Sequence, residues 1–141
     1  AILGGVGSSV GILGAGSTSA GVLSEKPNLF GKLLILTALP GSQGVYGLLI
    51  ALMILMKVGT FAGGAEVSME AGKQLLIAGI LTGVACFFSA WLQGKVVVAG
   101  IGAVAKNDKL SANMIVLSAL IETYAIFGLL IGLLIANGVV L

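Results

Sequence analysis

Four long apolar stretches make up most of this chain, and they restrict what it can fold into. Each is longer than the roughly 20 residues that an α-helix needs to cross the hydrocarbon core of a bilayer. Because the first stretch is long enough to span, we expect a helix there and no cleaved signal peptide. The interior of a bilayer tolerates only segments that satisfy their own backbone hydrogen bonds, so glycine-rich runs stay helical there. The sequence predicts an all-α membrane protein with four transmembrane helices: Ala1–Leu23, Leu29–Met56, Leu75–Ala105 and Leu110–Leu141.

The composition agrees with a membrane protein and argues against several other classes. Hydrophobic residues make up 58% of the chain and charged residues only 9%, whereas soluble domains carry roughly 25% charged residues. A net charge of +2 is too small to indicate nucleic acid as a partner. The sequence contains no arginine and no histidine, the side chains that most often clamp phosphate and bind metals. Cys86 is the only cysteine, so no internal disulfide can form.

The second half of the chain repeats the first. A shift of 81 positions aligns ALPGSQGVYGLLIAL (38–52) with ALIETYAIFGLLIGL (119–133), and seven of these 15 positions are identical. An even number of spans separates the two copies, so both have the same orientation in the membrane. We therefore expect two tandem duplicated helical hairpins, 1–56 and 74–141, joined by a connecting loop at 57–73. Only the second hairpin carries a membrane glutamate, because Glu122 falls opposite a glycine in the first copy.

Glycine is concentrated in the first predicted helix, whereas leucine and isoleucine dominate the second and fourth. Small residues spaced four apart let helix backbones approach closely. One interpretation is close packing within a single four-helix bundle. The uneven distribution favours another, a homo-oligomeric ring of identical subunits with helices 1 and 3 at its narrow inside and helices 2 and 4 outside, facing lipid. The glycines of the first helix are Gly4, Gly5, Gly7, Gly11, Gly14, Gly16 and Gly21.

The lysines predict the orientation of the helices. The tight turns 24–28 and 105–109 lie on the same side of the membrane and have four lysines in or near them, whereas the other side has only Lys57 and Lys73. Cytoplasmic loops carry an excess of lysine and arginine. We therefore expect a multi-pass protein of the cell membrane with both tight turns in the cytoplasm.

Two strings in the first helix, GVGSSVG and GAGSTSAG, look like phosphate-binding loops. They lack the Gly-Lys-Ser/Thr ending of such loops and lie within a predicted span. We therefore expect this chain to bind no nucleotide.

A single carboxylate lies in the middle of the last apolar stretch. Placing Glu122 there costs several kcal/mol, which makes it a candidate functional residue. It is 13 residues from Lys109, while Gln93 is 14 from Asn107 and Gln43 is 15 from the first tight turn. At about 1.5 Å per residue, all three lie roughly 20 Å from that side of the membrane. We therefore expect them at one level near the middle of the bilayer.

The second helix supplies further oxygen atoms at this depth. Leu39, Ser42, Gln43 and Tyr46 follow the i, i+3, i+4, i+7 spacing of one helix face. Pro40 disrupts the preceding turn and leaves main-chain carbonyls near 36–39 available as acceptors. Oxygen donors without sulfur or imidazole suit a hard cation. Because one carboxylate neutralises one positive charge, Na⁺ or H⁺ fits this set better than a divalent ion.

Two other interpretations of these polar residues remain open. Glu122 could be protonated and serve only as part of a polar contact between helices. It could also form a buried pair with Lys95. However, Gln93 and Lys95 are about 200° apart around a helix, so they cannot both face Glu122.

At these positions the chain resembles the proteolipid, the c or K subunit, of V-type and archaeal-type rotary ATPases. The strings LPGSQGVYG, WLQGK and ALIETYAIFGLLI are similar to those of the sodium-type bacterial members, and the resemblance covers essentially the whole chain. It implies that Tyr46 hydrogen-bonds the ion-binding carboxylate. It implies the following Na⁺ ligands: the Leu39 main chain, Ser42, Gln43, Gln93 and Glu122.

The resemblance also implies a mechanism and partners. A ring of identical subunits would carry one ion per subunit, Na⁺ or alternatively H⁺ on Glu122, past a membrane stator subunit that supplies an arginine. Central-stalk subunits would contact the turns 24–28 and 105–109, and ATP would be hydrolysed elsewhere, with no catalytic site in this chain. One carboxylate per two hairpins favours a pump. Two other classes stay open: a small proton-coupled secondary transporter, which should show inverted repeats, and a structural four-helix protein.

Overall fold

The computed structural model describes residues 1–61, 63–64 and 66–141, and within them the chain is almost entirely helical. Pro27–Leu29, Leu39–Gly41 and Asp108–Leu110 form short 3₁₀ turns. The α-helices are α1 (Ile2–Glu25), α2 (Phe30–Ala38), α3 (Ser42–Lys57), α4 (Met69–Lys106) and α5 (Ser111–Gly138).

These elements make four apolar spans, as the sequence predicted. The turn between α2 and α3 does not reverse the chain, so Pro27–Lys57 forms one span, and α1, α4 and Asp108–Gly138 form the others. Each is long and apolar enough to cross a bilayer. Large apolar side chains are exposed along the outside, for example Leu120 and Phe127 on α5, a surface that lipid or other copies of the chain cover in a multi-pass membrane protein.

The start of α4 differs from the sequence prediction. The helix begins at Met69, six residues before the predicted Leu75, so the described part of the connecting loop is shorter than 57–73. Ser68 explains the earlier start because its hydroxyl accepts a hydrogen bond from the Ala71 N–H, as an N-cap residue does. Glu70 adds a favourable negative charge to the first turn.

Among the described residues, two apolar clusters form the interior and lie at different levels of the bundle. α4 packs along most of its length against both α1 and α5. Gln43 and Gln93 lie between the two clusters along their helices. The cluster nearer the tight turns consists of Ala15, Leu29, Leu33, Leu36, Val97, Ile101 and Val104. The other consists of Ile50, Ala71, Leu75, Ala78, Leu129, Ala136 and Val139.

Lysines connect the two hairpins at both ends. Lys26 Nζ donates to the Ala105 carbonyl at the end of α4, at 2.6 Å. Lys57 Nζ donates to the Asn137 carbonyl near the end of α5, at 2.9 Å. A cation at a helix C-terminus satisfies free carbonyls and interacts favourably with the helix dipole. Lys26 follows α1 and caps α4, whereas Lys57 ends α3 and caps α5.

Glycines allow α1 and α4 to touch backbone to backbone within one subunit. A Cβ atom added at Gly94 would lie 2.5 Å from the Gly11 Cα, and one added at Gly11 would lie 2.6 Å from the Ala90 carbonyl oxygen. A Cβ at Gly5 or Gly21 would meet nothing within 4 Å. Part of the glycine content of α1 therefore serves packing inside the subunit, and part leaves its surface smooth.

We expect Gly94→Ala to destabilise the helical bundle by about 1–3 kcal/mol, the usual cost of overpacking. The added methyl group would collide with the backbone of α1, which cannot move aside as a flexible side chain could. The measurement is the midpoint of thermal unfolding in detergent. Gly102→Ala on the same helix is the control, since a Cβ there has open space. Equal midpoints for both variants would contradict the close contact.

Candidate ion-binding site

A break in the second span positions the first group of oxygen atoms. Pro40 has no N–H, and the chain around it tightens into the 3₁₀ turn between α2 and α3. The Leu39 carbonyl accepts the Ser42 N–H and lies 3.1 Å from Ser42 Oγ. Ser42 Oγ is also 3.2 Å from Gln43 Oε1. The Ser42 hydroxyl therefore lies within hydrogen-bonding distance of both a main-chain carbonyl and an amide oxygen.

Two other helices hold the carboxylate of Glu122. Tyr46 Oη on α3 donates to Glu122 Oε1 at 2.7 Å. Gln93 Nε2 on α4 lies 3.4 Å from Glu122 Oε2. Both partners are neutral side chains, so the structure surrounds the carboxylate with hydrogen-bond donors and gives it no cation from its own subunit among the described residues.

Two buried glutamines connect the turn to the carboxylate. Gln43 Nε2 donates to Gln93 Oε1 at 2.7 Å, and both side chains are fully buried. Gln93 Nε2 also donates to the Ser118 carbonyl, at 3.2 Å. The structure thus brings all six residues singled out in the sequence into one connected group that spans α3, the turn before it, α4 and α5.

Sequence reasoning missed the serines around this group. Ser89 Oγ accepts from Gln43 Nε2 at 3.2 Å and donates to the Ile121 carbonyl at 3.0 Å. Ser89 precedes Gln93 by four residues, and this spacing on one helix face could have identified it. Ser118 has the same relation to Glu122, and its buried Oγ has no hydrogen-bond partner among the described residues.

Lys95 lies away from the carboxylate. Its Nζ is 4.5 Å from the centroid of the Trp91 ring, close enough for a cation–π interaction. Gln93 faces Glu122, as the hydrogen-bond distances above establish. The structure therefore pairs Glu122 with Gln93 and Lys95 with Trp91, rather than Lys95 with Glu122.

The chemistry of this group suits a small monovalent cation. Its potential ligands are oxygen atoms with one formal negative charge, and hard cations prefer such ligands. One positive charge would neutralise the carboxylate, and charge neutrality matters most where the surroundings have a low dielectric constant. The five potential ligands are the Leu39 carbonyl, Ser42 Oγ, Gln43 Oε1, Gln93 Oε1 and the Glu122 carboxylate.

The chain is similar to membrane subunits of rotary ATPases. A family model for the C subunit of ATP synthase matches residues 1–54 and 76–135. The V-type sodium ATPase subunit K of Enterococcus hirae is 37% identical over 133 residues, which cover 94% of this chain and 82% of that protein. The A-type ATP synthase subunit K of Methanocaldococcus jannaschii is 40% identical over 96% of this chain and 57% of that protein. The V-type proton ATPase 16 kDa proteolipid subunit of Chrysotila carterae is 32% identical over 88% of this chain and 75% of that protein.

Proposed function

This chain belongs to the family of ATP synthase C subunits, as a rotor proteolipid of the V-type and A-type ATPases, and from that premise we propose that each copy binds one Na⁺ at Glu122 and carries it across the membrane. Members of this family form rings within the ATPase. The chain is therefore a membrane component of an ATPase complex, and the proposal concerns which ion it carries and how.

The single observation that carries the proposal is the set of oxygen atoms around Glu122. A proton carrier needs only a carboxyl group that can gain and lose a proton. Here two fully buried glutamines are linked at 2.7 Å, and Gln43 extends the link to Ser42. Each glutamine oxygen accepts one hydrogen bond, Gln43 Oε1 from Ser42 Oγ and Gln93 Oε1 from Gln43 Nε2, and an amide oxygen has a second lone pair that can ligate a cation. The name of the Enterococcus hirae relative, a sodium ATPase subunit, agrees with this choice.

H⁺ is the alternative cargo, and a specific observation favours it. Relatives at lower identity are named as subunits of proton ATPases. In that case the proton would reside on Glu122, and Gln43 and Gln93 would serve only as hydrogen-bond partners.

Electrostatics then explains how rotation moves the ion. With Na⁺ bound, Glu122 is neutralised and its side of the helical bundle can face lipid. Without it, the bare carboxylate would cost several kcal/mol in that position. The site can therefore release its ion only beside a polar or cationic surface. A stator subunit that supplies an arginine would provide this surface, and the present chain has no arginine of its own.

Release requires the carboxylate to leave its partners within the same chain. Glu122 is only partly buried in one copy of the chain, and its neighbour Tyr124 is exposed at 68%. The Tyr46 hydroxyl and the Gln93 amide are its two donors. We propose that a passing stator arginine competes with these two hydrogen bonds, because a guanidinium can form two parallel charge-assisted bonds to one carboxylate. The ion then loses its only charged ligand and dissociates.

The tight turns would contact other subunits of the ATPase. Lys26 bonds the Ala105 carbonyl, and Lys32 Nζ lies 2.6 Å from Asp108 Oδ2, so turns 24–28 and 105–109 form one connected surface. We propose that this surface lies in the cytoplasm and contacts the central stalk at the cell membrane. With Glu122 as the one carboxylate at mid-span in two hairpins, each turn of the ring carries fewer ions than a ring with one carboxylate per hairpin would, which favours a pump.

The test is carbodiimide labelling of Glu122 in the purified ring, because carbodiimides react with protonated carboxyl groups in apolar surroundings. We expect millimolar Na⁺ to block labelling, whereas K⁺ at the same concentration does not. If labelling depends on pH alone and Na⁺ has no effect, the ring carries protons and the sodium proposal is wrong.

A further inference from the structure

Helix α3 begins at the site without a cap of its own. The first N–H groups of a helix have no partner within the helix, and a side chain at the N-cap position usually supplies one. Here the N-cap residue is Gly41, which has no side chain, and no side-chain cap forms within the span. The Ser42 N–H bonds back to Leu39. The Gly44 N–H donates to an acceptor on another helix.

Ser8, on the neighbouring helix α1, is that acceptor. The Gly44 N–H donates to Ser8 Oγ at 2.8 Å, and Ser8 Oγ lies 3.4 Å from the Gly41 carbonyl. Ser8 is 5% exposed. The contact is close because α1 offers no side chain at Gly4, where a Cβ would lie 2.7 Å from the Gln43 carbonyl oxygen. The first helix therefore holds the main chain at the start of α3.

We propose that Ser8 is a positioning residue for ion binding, which caps α3 from another helix and so fixes the turn that presents the Leu39 carbonyl and the Ser42 hydroxyl. This inference rests on the proposed sodium function. Ser8 bonds the main chain at Gly44 and Gly41 and acts on the ligands through the backbone. Without the cap, the first turn of α3 loses a hydrogen bond and the ligand oxygens lose their fixed spacing. Glu122 keeps its own partners, because Tyr46 lies one turn further along α3 and Gln93 belongs to α4.

The test compares two adjacent serines by sodium protection of Glu122 in the assembled ring. Ser8→Ala removes the cap. Ser9→Ala is the matched control, since Ser9 is exposed and donates to the Gly5 carbonyl in its own helix, at 2.8 Å. Loss of a cap of this kind corresponds to about a 3- to 10-fold change in an equilibrium constant. We expect the Na⁺ concentration for half-protection to rise by that factor in Ser8→Ala and to stay unchanged in Ser9→Ala.

A second readout separates positioning from general loosening of the fold. The pH midpoint of labelling without Na⁺ should be the same in Ser8→Ala as in the natural chain. A shift of both the midpoint and the sodium concentration would overturn the positioning role. If Ser8→Ala fails to assemble, Ser8→Cys keeps a side chain of similar size that accepts hydrogen bonds weakly, and it should show the same selective loss of sodium affinity.

The possible failures are distinct. If Na⁺ protects the natural ring and Ser8→Ala equally well, the positioning role is wrong and the sodium function stands. If Na⁺ does not protect even the natural ring, the sodium function is wrong, and the role of Ser8 in sodium binding fails with it.

Discussion

Replacement of Glu122 by glutamine is expected to reduce ATP-driven Na⁺ uptake by vesicles containing the assembled ATPase at least about 100-fold. The amide can still bond the Tyr46 hydroxyl and Gln93, so the chain should fold and the ring should assemble. It cannot neutralise a cation. An uncompensated cation in the membrane costs several kcal/mol, and each 1.4 kcal/mol is a factor of ten in affinity. The measurement is uptake of radioactive sodium at saturating ATP.

Glu66→Gln is the matched control for this experiment. Glu66 is exposed in the connecting loop, so its replacement removes one charge of the same sign away from both the site and the tight turns. We expect uptake within about twofold of the natural enzyme, because exposed charges contribute little to stability. Appreciable Na⁺ uptake by an assembled Glu122→Gln enzyme would show that the ion crosses by a route without this carboxylate.

The relative depth of the polar residues could be predicted from the sequence because a membrane helix seldom departs from regular α-helical geometry. Its backbone must satisfy its own hydrogen bonds, so the rise per residue is nearly constant and residue counts convert to depth. Counting from the tight turns placed Glu122, Gln93 and Gln43 at one depth, and in the structure Gln93 bonds both others. Pro40 likewise marked where the second span leaves α-helical geometry.

The remaining details depend on contacts between helices, which residue counts do not contain. Ser8 is one of several small residues in α1, and only its packing against Gly44 distinguishes it from Ser9. Ser89 is visible from spacing, but its bond to the Ile121 carbonyl is not. Ser68 could have predicted the early start of α4 as an N-cap residue, but the prediction followed the apolar pattern, which begins at Leu75. The contact that Lys95 makes could not be predicted without the position of the Trp91 ring.

Gln93 is the residue on which the sodium and proton mechanisms differ most. It accepts from Gln43 at 2.7 Å, donates to the Ser118 carbonyl at 3.2 Å and lies 3.4 Å from Glu122 Oε2. Replacement by methionine keeps the length of the side chain and removes every one of these hydrogen bonds. It also leaves Gln43 Nε2 with Ser89 as its remaining acceptor.

We expect Gln93→Met to raise the Na⁺ concentration for half-protection of Glu122 by about 10- to 100-fold. One of the five oxygen ligands is lost, and a contact between a polar group and a charge contributes about 1.5–3 kcal/mol, which is one to two factors of ten in affinity. Gln74→Met is the control, because Gln74 lies near the start of the same helix, far along it from Gln93 and Glu122. In a proton-carrying ring, Gln93→Met would change only the pH dependence of labelling. A sodium affinity equal to that of the natural ring would remove Gln93 from the ligand set.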